Sequence, residues 1–556
     1  MTNRDVACVF NNIADLLRIK DDKSYKIKAY RRAALSIGQL DADINILYQN
    51  DQLYDIAGVG STLKRMIEEI VETGSCKDYE DLVSEMGEGI LEMLSLPGLG
   101  HKAIRTLYNE LDINSVDDLK QAAEEKRIRN LSGMGSKTED NILQSIHVFY
   151  NQNKKYTLVE IRPEADNLLG YLQSCEQVEN ACCVGSIRRG KTLISDIDIL
   201  VSAHDEQGIR RKIKQYSDVQ NIYTEKRGHI AGVLHSGVPF ELIIVTPEEY
   251  YGRLVWTTGS KSHRSHLFGE FKPEDFIGAK AEEEIYHQLG LPFISPELRE
   301  DNGEFEAAEE DMLPSLVSAE DLQGDLHVHS SYSDGSNNLL EIAEEAKQRG
   351  YSYVAVTDHF KSLHIVNGLD ESRLGTQGNE IDKLNKQWSD FKLLKGIEVD
   401  ILKNGTLDVE DRALRELDVV IASIHSYFKL DREKQTDRFI EAIKTEQVDI
   451  LGHLTGRLLK KRKSNALDVE RVLQEAVNYG VALEINADPV RMDIDEEFCR
   501  KAKEYGVKTS INSDAHDRDN LNNVQYGLLN ARRGWLEKDD VINSKPIKEL
   551  LDWLHE

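Results

Sequence analysis

The 556-residue chain contains no run of about 18 or more apolar residues and no basic stretch leading into an apolar one, so nothing in it reads as a membrane span or targeting segment. Cysteine is scarce. Cys8, Cys76, Cys175, Cys182, Cys183 and Cys499 form no metal-spaced pairs, and they read as reduced, buried thiols of a cytoplasmic protein. Net positive charge is also missing: the formal charge is −29. The chain as a whole therefore cannot attract a polyanion, and any such binding needs local basic patches, with modest and salt-sensitive affinity. The acid excess is greatest in residues 157–322 and concentrates in LREDNGEFEAAEEDMLPSLVSAEDL (298–322), which has little periodicity and reads as an acidic linker. The length allows about three to four domains.

What is abundant is a recurrence in the C-terminal half. Seven short apolar runs close on histidine or carboxylate: His327 and His329 (GDLHVH, with Asp334 just after), His359 (VAVTDH), Glu398 (LLKGIEVD), His425 (VVIASIH), His453 (DILGH), Glu484 (VALEIN), and Asp514 with His516 (SINSDAH). Successive closing groups lie 27 to 39 residues apart, room for one strand, one helix and two short loops. A βα repeat brings strand C-termini to one face, so these side chains can meet at one point. Imidazole and carboxylate are ligands for zinc, manganese or iron, and the number of such groups exceeds what one ion needs. Two or three divalent ions are expected. A single strand-end histidine is more often a hydrogen-bonded core residue, but a common register is not explained that way. Just after His453, GRLLKKRK places Arg457, Lys460, Lys461, Arg462 and Lys463 on the same face, either as a solvated charge run or as a phosphate clamp.

Residues 181–201, ACCVGSIRRGKTLISDIDILV, read as a strand, a Gly185-Ser186 turn with Arg188, Arg189 and Lys191, and a second strand holding Asp196 and Asp198. Alternation puts both carboxylates on one face, where they can share metal ions. A third carboxylate is needed, and FELIIV offers Glu241. Nearer the N-terminus, IAGVGSTLKRMIEEI, LPGLGHKAIRTLY and LSGMGSKTEDNIL repeat a Gly-apolar-Gly turn before an amphipathic helix, at Gly58/Gly60, Gly98/Gly100 and Gly133/Gly135. One such pattern is often only a helix–helix turn. Three in series point to helix-hairpin-helix contact with DNA phosphates, made by amides at helix N-termini without reading bases.

HVHSSYSD, TDH, IASIH, GHLTGR and NSDAH resemble the motifs of the PHP (polymerase and histidinol phosphatase) domain, a distorted (β/α)7 metal-dependent phosphoesterase barrel, over about residues 323–556. That resemblance implies His327, His329, Asp334, His359, Glu398, His425, His453, Asp514 and His516 as ligands of a three-metal cluster; Glu484 falls outside that set, as a further ligand or an orienting group, and Asp358, beside a ligand histidine, reads as an orienting group. WTTGSKSH (256–263) resembles the nucleotide-holding segment of family X DNA polymerases, and the whole chain looks like a bacterial or archaeal family X DNA polymerase with a C-terminal PHP domain. By that likeness Asp196, Asp198 and Glu241 are catalytic and bind two magnesium or manganese ions, while Gly185, Ser186, Arg189, Gly259 and Ser260 hold a deoxynucleoside triphosphate. Lys26, Lys28, Tyr30 and Arg31 would contact a 5′-phosphate at a gapped or nicked duplex.

The implied fold is multidomain, α+β and α/β. Residues 1–90 form a helical DNA-end-binding lobe, 91–156 a fingers-like domain with two hairpin motifs, 157–250 a nucleotidyltransferase palm, 251–297 a short thumb, 298–322 the linker and 323–556 the barrel; a monomer is expected. Three departures from the family pattern matter. Glu241 stands where aspartate is usual, Arg264 where asparagine is usual, and Met66 where some relatives have a Schiff-base lysine, so no lyase is expected by that route. The reading is a DNA repair enzyme with gap-filling synthesis in the palm and a 3′→5′ exonuclease, with abasic-site endonuclease as an extension, in the barrel. The alternatives are a nuclease with a lapsed, DNA-binding palm and a small-molecule phosphatase.

Overall fold

The computed structural model describes residues 2–40, 42–87, 89–94, 96, 99–362, 366–409 and 411–555. They fall into two units, Met1–Lys154 and Lys155–Glu556.

The described part of the first unit is helical. Its first helix, Asn3–Ile19, is closed by a reciprocal cap between Thr2 and Asp5, and its apolar stripe of Val6, Phe10, Ile13 and Leu17 is buried. Those residues join Ile37, Met66 and Ile70 in one core, while Leu16 and Ile19 reach a second core with Ile90, Met93, Ile104 and Leu107. Cys8 falls two positions from Val6, off the stripe, and is exposed; the expectation that all cysteines are buried fails there. Cys76, Cys175 and Cys499 are buried, Cys182 and Cys183 half-buried, and all six are free thiols. The three hairpin motifs feed helices Ser61–Thr73, His101–Leu111 and Ser136–Asn153.

In the second unit a five-stranded sheet runs in the order Val178–Cys183, Ile197–Ala203, Pro239–Val245, His229–Leu234, Val219–Lys226. Only the pair Ile197–Ala203 and Pro239–Val245 is parallel. Helices Tyr250–Thr258, Lys261–Phe268 and Glu282–Gln288 build the region read as a thumb around Phe268, Phe276, Ile285 and Tyr286. The acidic segment 298–322 joins this core with Phe305 and Ala308, from helix Glu304–Glu309, so it connects thumb to barrel as packed chain.

Seven parallel strands follow in sequence order: Gly324–Val328, Tyr353–Val356, Lys392–Asp400, Val419–Ser423, Ile450–Leu451, Ala482–Asn486 and Thr509–Asn512. Between the last strand and the first the seam is closed by a Val328–Ala515 bridge and by Asn543. The Asn543 side-chain amide donates to Gly324 O at 2.8 Å and Ile511 O at 2.7 Å, while its oxygen accepts from Ile511 N at 3.0 Å. The inside of the ring is packed with Leu326, Tyr353, Leu394, Ile421 and Ile450, stoppered by Ile542 and by Leu550 of the terminal helix Ile547–Leu554. With the floor filled by apolar side chains, polar chemistry is left to the opposite rim. Among the described residues no helix is long and apolar enough to cross a membrane.

Candidate active sites

At the C-terminal rim of the barrel the nine predicted ligands converge. His329, Asp334, His359 and His516 make one group, His327, His329 and Asp514 a second, and His359, Glu398 and His425 a third, each with ligand atoms within 4.8 Å of one another. His453 joins through its Nε2, 2.9 Å from Glu398 Oε1. Glu398 is central: its Oε2 also lies 3.6 Å from His327 Nε2 and 3.7 Å from His329 Nε2. The first strand helps by breaking register with its neighbour between Asp325 and Val328. That irregularity lets Leu326 enter the apolar plug while His327 turns to the cluster. His453 (φ 25) and Asp514 (φ 53) sit in the left-handed region, a strain that clusters at functional sites.

The donor set fits divalent ions on the chain's own evidence of unmet bonding. Nε2 of His327, both ring nitrogens of His329 and Nδ1 of His453 are buried with no hydrogen bond among the described residues, and His359 Nδ1 and Glu398 Oε2, 2.8 Å apart, are not aligned to form one. Such atoms are costly unless something else binds them. Burial, then the charges of His359 and His516, lower the His329 pKa to about 3. Burial acts the same way on His425, but Glu398 and Asp400 outweigh it and raise the value to about 10. For Glu398 burial is outweighed by His359, His425 and His327, and its pKa falls well below the usual range. Imidazoles and carboxylates crowded this closely compete for protons that bound cations replace.

Around the cluster lie groups that aim it. Glu484 accepts from His327 Nδ1 (2.6 Å), the His453 backbone N–H (2.7 Å), Asn486 Nδ2 (3.0 Å) and Asn512 Nδ2 (3.0 Å), leaving no oxygen free for a metal. Asp358 accepts from the Ser330 backbone N–H at 2.8 Å and from the side chains of Ser330, Ser333 and Gln377, which holds the His329–Asp334 loop. Asp400, which sequence reasoning missed, accepts from His425 Nδ1 at 3.0 Å. The signal was present: two positions after Glu398 on one strand is the same face. In the basic run, Arg457 is bound to Asp495 and to the carbonyls of Arg491 and Met492, and Lys460 reaches Glu160 at 2.8 Å.

The second site lies on the five-stranded sheet. Asp198 and Glu241 are register partners on its two parallel strands, and Asp196 immediately precedes Ile197, where the strand begins. No hydrogen bond among the described residues reaches the carboxylate of Asp196 or Asp198. Burial, then Asp196 and Glu241, push Asp198 up to about 8; burial, then Glu241, raises Asp196. Carboxylates held together against their own repulsion fit a divalent cation. Among the described residues the Glu241 carboxylate has one hydrogen-bond partner, His229 Nε2 at 3.3 Å. Gly185 (φ 59) packs so tightly on Asp198 that a Cβ there would collide with its carboxylate.

The predicted nucleotide-binding residues surround this site, yet several are engaged. Arg189 donates to Glu300 Oε1 at 2.9 Å and to Thr258 O at 2.7 Å. Ser260 caps helix Lys261–Phe268, its Oγ accepting from His263 N at 3.0 Å. Gly259 immediately precedes Ser260, with no room for a Cβ beside His263. Beneath them Arg188 pairs with Glu282 at 2.5 Å, and Glu282 with the fully buried Arg299 at 2.7 Å, locking the Ser186 turn to the Thr258–Ser260 segment. The charge of Arg264, like that of Arg189, acts to lower the Asp198 pKa.

In the helical unit, Gly60 and Gly100 cap their helices with extended backbone, and a Cβ at Gly60, Gly100 or Gly135 would meet nothing within 4 Å. Gly58 (φ 86) and Gly133 (φ 80) need glycine for conformation; Gly98 lies outside the described residues. Lys26 pairs with Asp22 at 3.2 Å, Arg31 with Asn11 and Asp15, and the Tyr30 hydroxyl contacts the buried Met66 sulfur at 3.8 Å.

Comparison with known proteins covers both units. The helix-hairpin-helix domain model matches residues 1–76, a SAM-like helix-hairpin-helix tandem matches 90–147, and the PHP domain model matches 325–488. A probable phosphatase of Thermoanaerobacter sp. (strain X514) is 32% identical over 41% of this chain and 93% of its own length. A probable phosphatase of Shewanella sp. (strain ANA-3) is 28% identical over 41% of this chain and 90% of its own. The DNA polymerase/3′-5′ exonuclease PolX of Bacillus subtilis (strain 168) is 32% identical over 99% of both chains. A match that runs the length of both proteins, through the helical unit, the sheet and the barrel alike, places the chain in the PolX family, the family X DNA polymerases that carry a PHP domain.

Proposed function

We propose that this chain acts on DNA at two separate metal-dependent sites, extending a 3′ end in the palm and removing nucleotides from a 3′ end in the barrel. The full-length relative named DNA polymerase/3′-5′ exonuclease supports that pairing. The observation that carries it is the coexistence of two unneutralised donor sets: nine ligands on the barrel rim and Asp196, Asp198 and Glu241 on the sheet.

In the barrel, two or three zinc, manganese or iron ions would be held by the nine ligands, lowering the pKa of a bound water and clamping the oxygens of a phosphoryl displacement. Glu484 and Asp400 fix which ring nitrogen of His327 and His425 faces inward. In the palm, Asp196, Asp198 and Glu241 would hold magnesium or manganese, and the Gly185-Ser186 turn would meet the triphosphate of a deoxynucleotide. The open faces of Gly60, Gly100 and Gly135, where the fold itself does not demand glycine, suit the close approach of a DNA backbone. A gapped or nicked duplex with a 5′-phosphate is the substrate this arrangement favours.

A second reading, a nuclease with a lapsed palm, draws on the longer Glu241 side chain with its His229 contact and on the ion pair that occupies Arg189. Incubating the protein with a gapped, 5′-phosphorylated duplex and manganese, with and without deoxynucleotides, separates them. Extension with nucleotides and shortening without them is expected; shortening in both arms would leave only the nuclease. Turnover of histidinol phosphate with an inert duplex would instead mark a small-molecule phosphatase.

A further inference from the structure

One arginine on the barrel rim has no role among the groups described so far. Arg491 lies in the loop after strand Ala482–Asn486, with its side chain only 19% exposed. Its Nε is buried without a hydrogen-bond partner, 3.7 Å from Oδ2 of the ligand Asp514 and 3.7 Å from Oδ2 of Asp488, beyond hydrogen-bonding reach of either. The loop is tied down around it: the Arg491 backbone N–H donates to Asp488 O at 2.8 Å, and Arg491 O accepts from Arg457 Nε at 2.9 Å.

A second guanidinium lies on the hairpin packed against this loop. Arg462, in the basic hairpin, is fixed by donation from Nε to Gly456 O at 2.6 Å and by stacking 3.6 Å from the Phe428 ring centroid. The hairpin is hydrogen-bonded to the Arg491 loop, the Leu459 backbone N–H donating to Val490 O at 2.7 Å and Arg457 Nε to Arg491 O at 2.9 Å, and burial and then the Arg491 charge lower the Arg462 pKa. The acids beside Arg491 leave its Nε–H without a hydrogen bond, and a fork of guanidinium donors matches phosphate. Lys461 and Lys463, exposed on the same hairpin, carry no ion pair among the described residues and extend the positive surface outward.

We propose that Arg491 and Arg462 form an anion site on the rim of the cluster for the phosphodiesters of a nucleic-acid strand, Arg491 taking the phosphate to be cleaved and Arg462 the next. This rests on the reading of the barrel as a nuclease and names what that nuclease grips. Arg491 supplies positive charge where the displacement concentrates negative charge. The hairpin supplies the grip on further phosphates, which a single-phosphate substrate would not use.

The test compares kcat and KM of the full-length manganese-loaded protein on a 5′-labelled single-stranded oligonucleotide and on bis(p-nitrophenyl) phosphate. Arg491→Ala should lower kcat on both by a factor on the order of 100, with bound manganese unchanged and part of the rate restored in Arg491→Lys. Arg462→Gln should raise KM for the oligonucleotide, lower the slope of log KM against log salt by about 1, and leave the small diester unaffected. Wild-type kcat in Arg491→Ala, or loss of rate in step with loss of manganese, would overturn the proposal and make Arg491 a structural partner of Asp514. A wild-type protein inert on both substrates would remove the nuclease reading itself.

Discussion

His327 Nδ1 stands 2.6 Å from Oε1 of Glu484, a residue 157 positions later, and that bond turns the other ring nitrogen toward Asp514 and Glu398. All four hydrogen-bond contacts of the Glu484 carboxylate are with donors. An amide in its place would set an N–H₂ against two of them.

Glu484→Gln is therefore expected to weaken metal binding or nuclease activity by about 10–100-fold, although Glu484 itself touches no ion. Metal titration of the apoprotein, followed by nuclease assay at saturating manganese, separates lost affinity from lost rate. Unchanged values of both would show that His327 needs no orienting partner.

His329→Ala or Asp514→Ala should abolish nuclease activity while leaving gapped-duplex affinity intact. His329 offers two unpartnered nitrogens and Asp514 lies 3.2 Å from one of them, so either loss opens the shared cluster. Elemental analysis should find more than one transition metal per wild-type chain and fewer in either variant. Full nuclease activity in metal-stripped protein would refute this.

In the palm, Asp198→Ala should remove nucleotide addition and spare the nuclease, since the two donor sets share no residue. Glu241→Asp should change synthesis by a small factor, and manganese should support the wild type better than magnesium because it tolerates irregular oxygen geometry. Single-nucleotide extension on a one-nucleotide gap is the assay. Equal background incorporation by wild type and Asp198→Ala in both metals would establish the lapsed palm.

One carboxylate far from either site predicts a pH dependence. Asp449, at the barrel floor, accepts from the Val420 backbone N–H at 2.7 Å, and burial pushes its pKa up to about 7. Raised in the fold, this acid binds its proton more tightly when folded. Its contribution is greatest below the unfolded value of about 4 and is lost as pH rises toward 7. Asp449→Asn keeps an acceptor without the charge, so the thermal midpoint of wild type should fall relative to the variant between pH 4 and 7. Parallel midpoints across that range would exclude the shift.

What was legible in the sequence follows from where the information lies. The convergence of the candidate barrel ligands could be read because each lies near the C-terminal end of a strand or in the loop just after it, which one rim of the barrel gathers. The palm acids could be read because Asp196 and Asp198 are two apart. Glu300 could not: it meets Arg189 across 111 residues from a segment that composition marks only as acidic. Arg491 was hidden for a similar reason, since its surroundings are assembled from a loop and a hairpin with no shared period. The exposure of Cys8 was available from helix spacing alone.

The seam closed by Asn543 has a consequence for how the protein is made. Asn543, which joins first barrel strand to last, is synthesised well after Lys154, where the helical unit ends. At translation speeds of about 5–20 residues per second, roughly 20–80 s separate those moments. Throughout that interval the nascent barrel lacks both its seam residue and its apolar stopper. A chain that stopped short of Asn543 would keep every candidate ligand yet lose the three side-chain hydrogen bonds that help to close the ring beneath them.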